Sequence, residues 1–421
     1  MSETDFTSRV VKKSRLFYGY VVVASCFLIM VVMHGAFNSF GVFFTPLETE
    51  FNCTRAVLSG ANSVAFIIMG ASAILLGMLS DRFGPKLILT LSGILFGAGY
   101  MLMSQVNAIW QIYFFLSLAG IGLSAADIVP LATVVRWFVR KRGTMTGIMK
   151  VGTGLGMMTV PFVSSLLIEA YGWSTSYLIL GITVVVVVVP LSQLVRRDPR
   201  EKGLLPDGDE KTQDTNISLS EEGLSLLEAL KTRQLWMVCA FYAAVVYCGM
   251  TNLTHIVPYA EGLDIPKTTA ASLISTYGAV SMGGRIIMGF LGDKLGHKRT
   301  MVICLIIAIV GMSWLQVAKE LWMLYLFAAV YGFSHGGFFT LISPLIAGLF
   351  GTRSQGSLLG IVIFSGTLGG SIGMTLSGYI FDITGSYTIA FIILLGLVIL
   401  GLVNMLLIKP INKGTANDQP G

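Results

Sequence analysis

Apolar stretches of bilayer-crossing length follow one another along the chain, separated by short polar loops. A helix needs roughly 20 apolar residues to cross about 30 Å of hydrocarbon, and twelve stretches qualify: 17–44, 55–79, 87–106, 109–137, 143–168, 174–195, 234–259, 268–292, 300–318, 321–349, 355–380 and 387–408. The pattern predicts an all-α polytopic membrane protein with twelve transmembrane helices. The first stretch begins just after Arg9, Lys12, Lys13 and Arg15. It is too long for the apolar core of a signal peptide, so it is expected to stay in place as a helix.

Composition narrows the class. Of 421 residues, 54% are hydrophobic and 12% charged, whereas a soluble domain carries about 25% charged residues to coat its surface. The net charge of +6 points to nucleic acid only if it is clustered on a water-facing surface, and it is not. Of the 28 Lys and Arg, 23 fall in the termini and the even-to-odd loops, three (Arg55, Lys267, Lys319) in the opposite loops and two inside spans. That bias predicts a multi-pass protein of the cell membrane with both termini cytoplasmic. The five dispersed cysteines, at 26, 53, 239, 248 and 304, form neither a disulfide framework nor a zinc spacing. A phosphate-binding G-x-x-x-x-G-K-[ST] loop is missing, which disfavours an ATP-driven pump. Neither enzymatic activity, a metal, nor a nucleic-acid partner is expected.

The longest polar stretch, 196–233, holds seven basic and nine acidic residues and separates the sixth and seventh spans. It reads as a cytoplasmic linker, and Leu224, Leu227 and Leu230 near its end predict a short amphipathic helix on the membrane surface. Around this linker the sequence repeats itself. Gly77-Met-Leu-Ser-Asp81-Arg82-Phe-Gly84-Pro-Lys86 returns 212 positions later as Gly289-Phe-Leu-Gly-Asp293-Lys294-Leu-Gly296-His-Lys298. Phe138 and Phe350 keep that offset, while Gly147 and Gly360, and Gly172 and Gly385, lie 213 apart. Two pseudo-symmetric six-helix bundles are expected, 1–195 and 234–421, joined by 196–233.

The twice-repeated G-x-x-x-D-[RK]-x-G-x-[KR] loop, six plus six spans and a charged middle loop resemble the major facilitator superfamily. A narrower likeness is carried by Trp137-Phe138-Val-Arg140-Lys141-Arg142-Gly143, Gly283-Gly284-Arg285-Ile-Ile-Met-Gly289, Tyr331-Gly-Phe-Ser-His335-Gly336-Gly337 and Leu349-Phe350-Gly351-Thr-Arg353. These segments are similar to the monocarboxylate transporters and the oxalate/formate exchangers. The resemblance implies a central cavity lined by every span except 3, 6, 9 and 12, and a substrate carboxylate bound by the arginine of span 8, here Arg285. The chain also departs from these relatives. Where some animal members have a span-1 lysine it has Asn38, Ser281 stands where they place an acid before the arginine, and 361–370 lacks the exchangers' span-11 lysine.

Ionisable groups inside a membrane are costly and mark function. Six fall within spans: His34, Asp127, Lys150, His255, Arg285 and His335, none of them on an outward-facing span. At about 1.5 Å of rise per residue, Lys150, Arg285 and Asp127 lie at comparable depths, ~10–12 Å inside the cytoplasmic end. His335 falls near mid-span, and His34 and His255 towards the outer ends. Arg285 can fork onto a carboxylate or pair internally with Asp127. Lys150 can serve the site or reach back to the interface. Asp127 can brace Lys150 or carry coupling protons, and each histidine can take a proton or merely hydrogen-bond backbone.

The expected substrate-binding residues are Arg285, Lys150, Tyr331, His335 and Asn38. The proton-coupling candidates are Asp127, His335, His34 and His255. Asp81 with Arg82, and Asp293 with Lys294, are expected to latch the halves together. Two buried cations and one acid leave +1, which one carboxylate balances. The expected function is therefore proton-coupled symport of a monocarboxylate such as lactate, pyruvate or acetate by alternating access, with no cofactor beyond the proton. A dicarboxylate antiporter is the runner-up, ahead of a drug exporter or a membrane sensor. Small organic acid and lipid are the expected partners, and no docking feature for an accessory subunit is visible.

Overall fold

Residues 17–208 and 223–409 are described by a computed structural model, and nearly all of them are helical. The first span is α1 (Tyr18–Asn38), continued beyond Ser39 by α2 (Phe40–Phe51). There follow α3 (Arg55–Phe83), α4 (Pro85–Met103), α5 (Ile109–Trp137) and the long α6 (Arg142–Leu194). After the short α7 (Leu226–Leu230) come α8 (Arg233–Glu261), α9 (Lys267–Leu295), α10 (His297–Leu315), α11 (Leu321–Phe350), α12 (Gln355–Thr384) and α13 (Thr388–Leu407). Gly172, at φ 79°, turns the chain inside α6, which therefore supplies two spans. With α1 and α2 counted together this makes twelve. Gly84 (φ 85°) and Gly296 (φ 92°) end α3 and α9 in backbone conformations that glycine alone adopts without strain, and the next helix begins at once.

The first span is longer than its apolar run. Together α1 and α2 cover 34 residues, ending at Phe51 rather than near 44. Polar residues from Thr45 onward end the hydrophobic signal without ending the helix, and α2 continues through Pro46 in its interior. His34 consequently sits at the middle of this span and not near its outer end.

Repeat-equivalent helices make equivalent contacts. α1 packs on α6 as α8 packs on α12; α3 and α4 pack on α5 as α9 and α10 pack on α11. Individual glycines keep the register. Gly156 lies against the Val31 backbone as Gly369 lies against Ala243, and Gly120 against Ala65 as Gly332 against Tyr277. The two groups of helices meet where α3 touches α12 and α6 touches α9. The loops bearing Asp81, Arg140, Asp293 and Arg353 all gather at one end of this bundle, hereafter the basic end.

The linker is described only at its edges. Asp207 accepts hydrogen bonds from the Val139 and Arg140 N–H groups (3.0 and 2.9 Å), and the Leu224 N–H donates to the Phe350 carbonyl (2.9 Å). The edges thus rest on loops that are repeat mates. A reciprocal Ser225–Glu228 capping box starts α7, and the hydrogen bonds from Ser225 hold the Glu228 carboxyl below its usual range. Only five residues are helical, so the amphipathic helix expected here is a single turn, with Leu227 exposed and Ala229 buried. Residues 1–16, 209–222 and 410–421, with both termini, lie outside the described residues.

Candidate functional site

Three helices of the first bundle bring an ionic cluster together at the centre. Lys150 Nζ on α6 donates to Asp127 Oδ1 on α5 at 2.5 Å, and His34 Nε2 on α1 lies 3.3 Å from the same oxygen. Glycines in α6 allow this proximity: Gly152 and Gly156 touch the α1 backbone at Phe27 and Val31, and Gly147 touches the α9 backbone at Arg285. Lys150 is buried and takes Asp127 as its counterion. A buried ammonium without a partner would cost several kcal/mol. Arg285 approaches from α9, but its Nη1 donates to the backbone carbonyl of Lys150 and its Nε is buried without a partner. It forms no ion pair with Asp127.

A cavity of about 100 Å³ lies beside this cluster, between the two bundles. Asp127 and Lys150 line one side; Tyr242, Val246, Phe339 and Ile363 line the other. Arg285 is not part of the lining, although its bond to Lys150 holds it one residue away.

The other candidates separate by their partners. His335 is buried with both ring nitrogens unpartnered, its ring 5.0 Å from that of Tyr277, 4.6 Å from Phe339 and 6.4 Å from Tyr331. The Tyr331 hydroxyl is likewise buried and unpartnered. His255 is engaged on both sides, with Nδ1 3.3 Å from the Tyr387 hydroxyl and Nε2 3.0 Å from the Met374 carbonyl. It ties α8 to α12 and the start of α13. Asn38 donates to the His34 carbonyl at 2.8 Å, one turn back on its own helix. Tyr277, absent from the expected set, has a buried, unpartnered hydroxyl too. Its spacing from Ser281 and Arg285, one and two turns along a single face of α9, is the signal that would have singled it out.

At the basic end each latch aspartate closes on the first turn of a helix from the other bundle. Asp81 accepts from the Gly356 and Ser357 N–H groups (3.1 and 2.8 Å) and the Ser357 hydroxyl (2.8 Å) of α12. Asp293 accepts from the Gly143 and Thr144 N–H groups (2.6 and 2.8 Å) and the Thr144 hydroxyl (2.6 Å) of α6. Arg82 and Lys294 take no part, contrary to expectation. They fold back over Phe83 and Phe290 on their own helices, 5.2 and 4.4 Å from the ring centres. The cation of the Asp81 latch is Arg136, at 3.0 Å, which also donates to the Thr352 carbonyl. Among the described residues no group of His, Cys, Asp and Glu is arranged to hold a metal.

The family model described as Major Facilitator Superfamily matches residues 26–256 and 240–421. Human monocarboxylate transporter 12 is 26% identical over 400 residues, covering 89% of this chain and 77% of that protein. The oxalate:formate antiporter of Oxalobacter formigenes is 27% identical over 367 residues, 84% of each chain. Among solved structures, the human organic anion transporter MFSD10 superposes with a TM-score of 0.73 at 15% identity, covering 92% of this chain and 99% of that one. The proton:xylose symporter XylE gives 0.71 at 15%, covering 92% and 95%. At such identities these two structures show the shared fold alone.

Proposed function

The chain belongs to the Major Facilitator Superfamily, and from that premise we propose that it carries small monocarboxylates across the membrane together with a proton. It is a multi-pass membrane transporter by family. The finer reading rests on one observation: His34 and Lys150 converge on a single oxygen of Asp127 beside the cavity. Protonated, His34 can take over Asp127 and release Lys150 to an incoming carboxylate. Arg285, one residue away with a free Nε, adds a second cationic donor.

Charge bookkeeping favours this exchange of partners. Empty, the site holds Lys150, Arg285 and Asp127, a net +1. Loaded, it gains one proton on His34 and one carboxylate and stays at +1. The carrier therefore reorients without an added charge, which hydrocarbon would penalise. Rocking of the two bundles about this midpoint, with the basic end facing the cytoplasm, exposes the site to each side in turn.

Uptake of radiolabelled lactate or acetate into proteoliposomes tests the proposal. An inward proton gradient should drive accumulation, and His34→Gln should abolish that stimulation while leaving acid-for-acid exchange. Arg285→Ala should remove both. Gradient stimulation that survives His34→Gln would remove His34 from the coupling, and pH-independent dicarboxylate exchange would sink the symport reading altogether.

A further inference from the structure

On the outer side of the second bundle, remote from the central cavity, α10 and α11 part to leave a groove of about 420 Å³. Val310, Trp314 and Val317 line it from α10 and the turn that follows; Leu326, Phe327 and Val330 line it from α11, and Ser313 supplies the one hydroxyl. Val310 and Val317 are more than half exposed, so the groove opens away from the protein and into the bilayer. Phe327 closes it on the inside, buried and stacked on Tyr331 with ring centres 5.6 Å apart. Along the chain the lining runs from Ile309 to Val317, roughly 12 Å at 1.5 Å per residue. That is most of the ~15 Å that half of a bilayer's hydrocarbon spans.

The mouth of the groove, at the end remote from the basic end, has the chemistry of a membrane interface. Trp314 and Trp322 meet there edge to face, ring centres 5.8 Å apart, and their N–H groups donate to the Met323 carbonyl (3.0 Å) and the Glu320 carboxylate (2.5 Å). Such half-apolar rings gather where hydrocarbon meets headgroups. The Tyr259 hydroxyl donates to the Ala318 carbonyl at 2.8 Å and so fixes the turn between Val317 and Lys319. Lys319 is exposed and makes no ion pair among the described residues. We propose that the groove holds one acyl chain of a glycerophospholipid whose phosphate meets Lys319. An uncharged lipid would leave that ammonium without a counterion. A helix about 10 Å across would need roughly 900 Å³ over the same depth, twice what the groove offers, whereas a single chain fits. The chain lies against Phe327 and backs its stack on Tyr331.

Native mass spectrometry of the full, delipidated chain in detergent, titrated with dioleoyl phosphatidylglycerol or with dioleoylglycerol, tests this. The phospholipid should form a saturable one-to-one adduct. It should bind about fivefold better than the diacylglycerol, the value of one lysine beside a lipid phosphate. Lys319→Gln should bring the phospholipid down to the affinity of the diacylglycerol and leave the latter unchanged. Val310→Trp, which sets an indole into the groove from an exposed position, should abolish both adducts. Should Val310→Trp melt well below the native protein, Leu326→Trp fills the groove from its other lip and carries the same test. An adduct that survives both tryptophans takes the lipid out of this groove. Equal affinity for the two lipids in the native protein overturns the phosphate contact at Lys319. A dimer that forms in place of the adduct, and that Val310→Trp dissolves, makes a second copy of the chain the occupant and overturns the lipid site.

Discussion

The Asp81 and Asp293 latches share a backbone plan and differ in the cation beside the carboxylate. Both bind two N–H groups and one hydroxyl at a helix start in the opposite bundle, where the helix dipole favours an anion. Asp81 has in addition Arg136 at 3.0 Å, buried and bonded across the interface to Thr352. The repeat mate of Arg136 is Gly348, and Asp293 has instead His297, at 3.5 Å, where the first bundle has Pro85. The duplicated carboxylate-to-helix bond is thus the common minimum for holding the halves together. One latch sets a guanidinium beside the carboxylate and the other a more distant imidazole, so the two should not open with equal ease.

Four substitutions probe that inequality. The readout is alkylation by a membrane-impermeant thiol reagent, applied at the basic end, of a cysteine placed at Leu131 beside the cavity, with the native cysteines replaced. Asp81→Asn should have the largest effect, weakening closure by about 3 kcal/mol because it takes the carboxylate charge away from buried Arg136, and raising alkylation roughly a hundredfold. Asp293→Asn should cost about 2 kcal/mol, the value of a few charge-assisted hydrogen bonds. Gly348→Arg should act in the opposite direction. Space around Gly348 is open, and position 348 stands to Asp293 as Arg136 stands to Asp81, so closure should strengthen by about 1 kcal/mol. His297→Gln should have the smallest effect, about 0.5 kcal/mol. Equal responses to Asp81→Asn and Asp293→Asn would show that Arg136 contributes nothing to closure.

The spans were legible because a bilayer imposes a length and a polarity that few other constraints mimic. Repeated Gly and Asp spacings likewise exposed the duplication and both latch aspartates. What stayed hidden was which helix faces which. α1, α5 and α11 are apolar nearly all round, so their sequences carry no stripe to mark a contact face, and the meeting of His34 with Asp127 had no local signature. Arg136 read as a topology-setting charge at the end of a span, whereas the motif's own Arg82 and Lys294 lie on aromatic rings of their own helices. The turn of Arg285 onto a backbone carbonyl was invisible for the same reason: a sequence shows the donor, while the acceptor belongs to every residue alike.

The glycine pairs at the basic end have an electrical consequence. Gly77 lies against the Gly356 backbone and Gly143 against that of Gly289, with no room for even a Cβ between them. Whenever the opposite end is wet, this seam of touching backbones stands between the cavity and the basic end. Whatever membrane voltage falls across it acts on a charge there at about 2.3 kcal/mol per unit charge for each 100 mV.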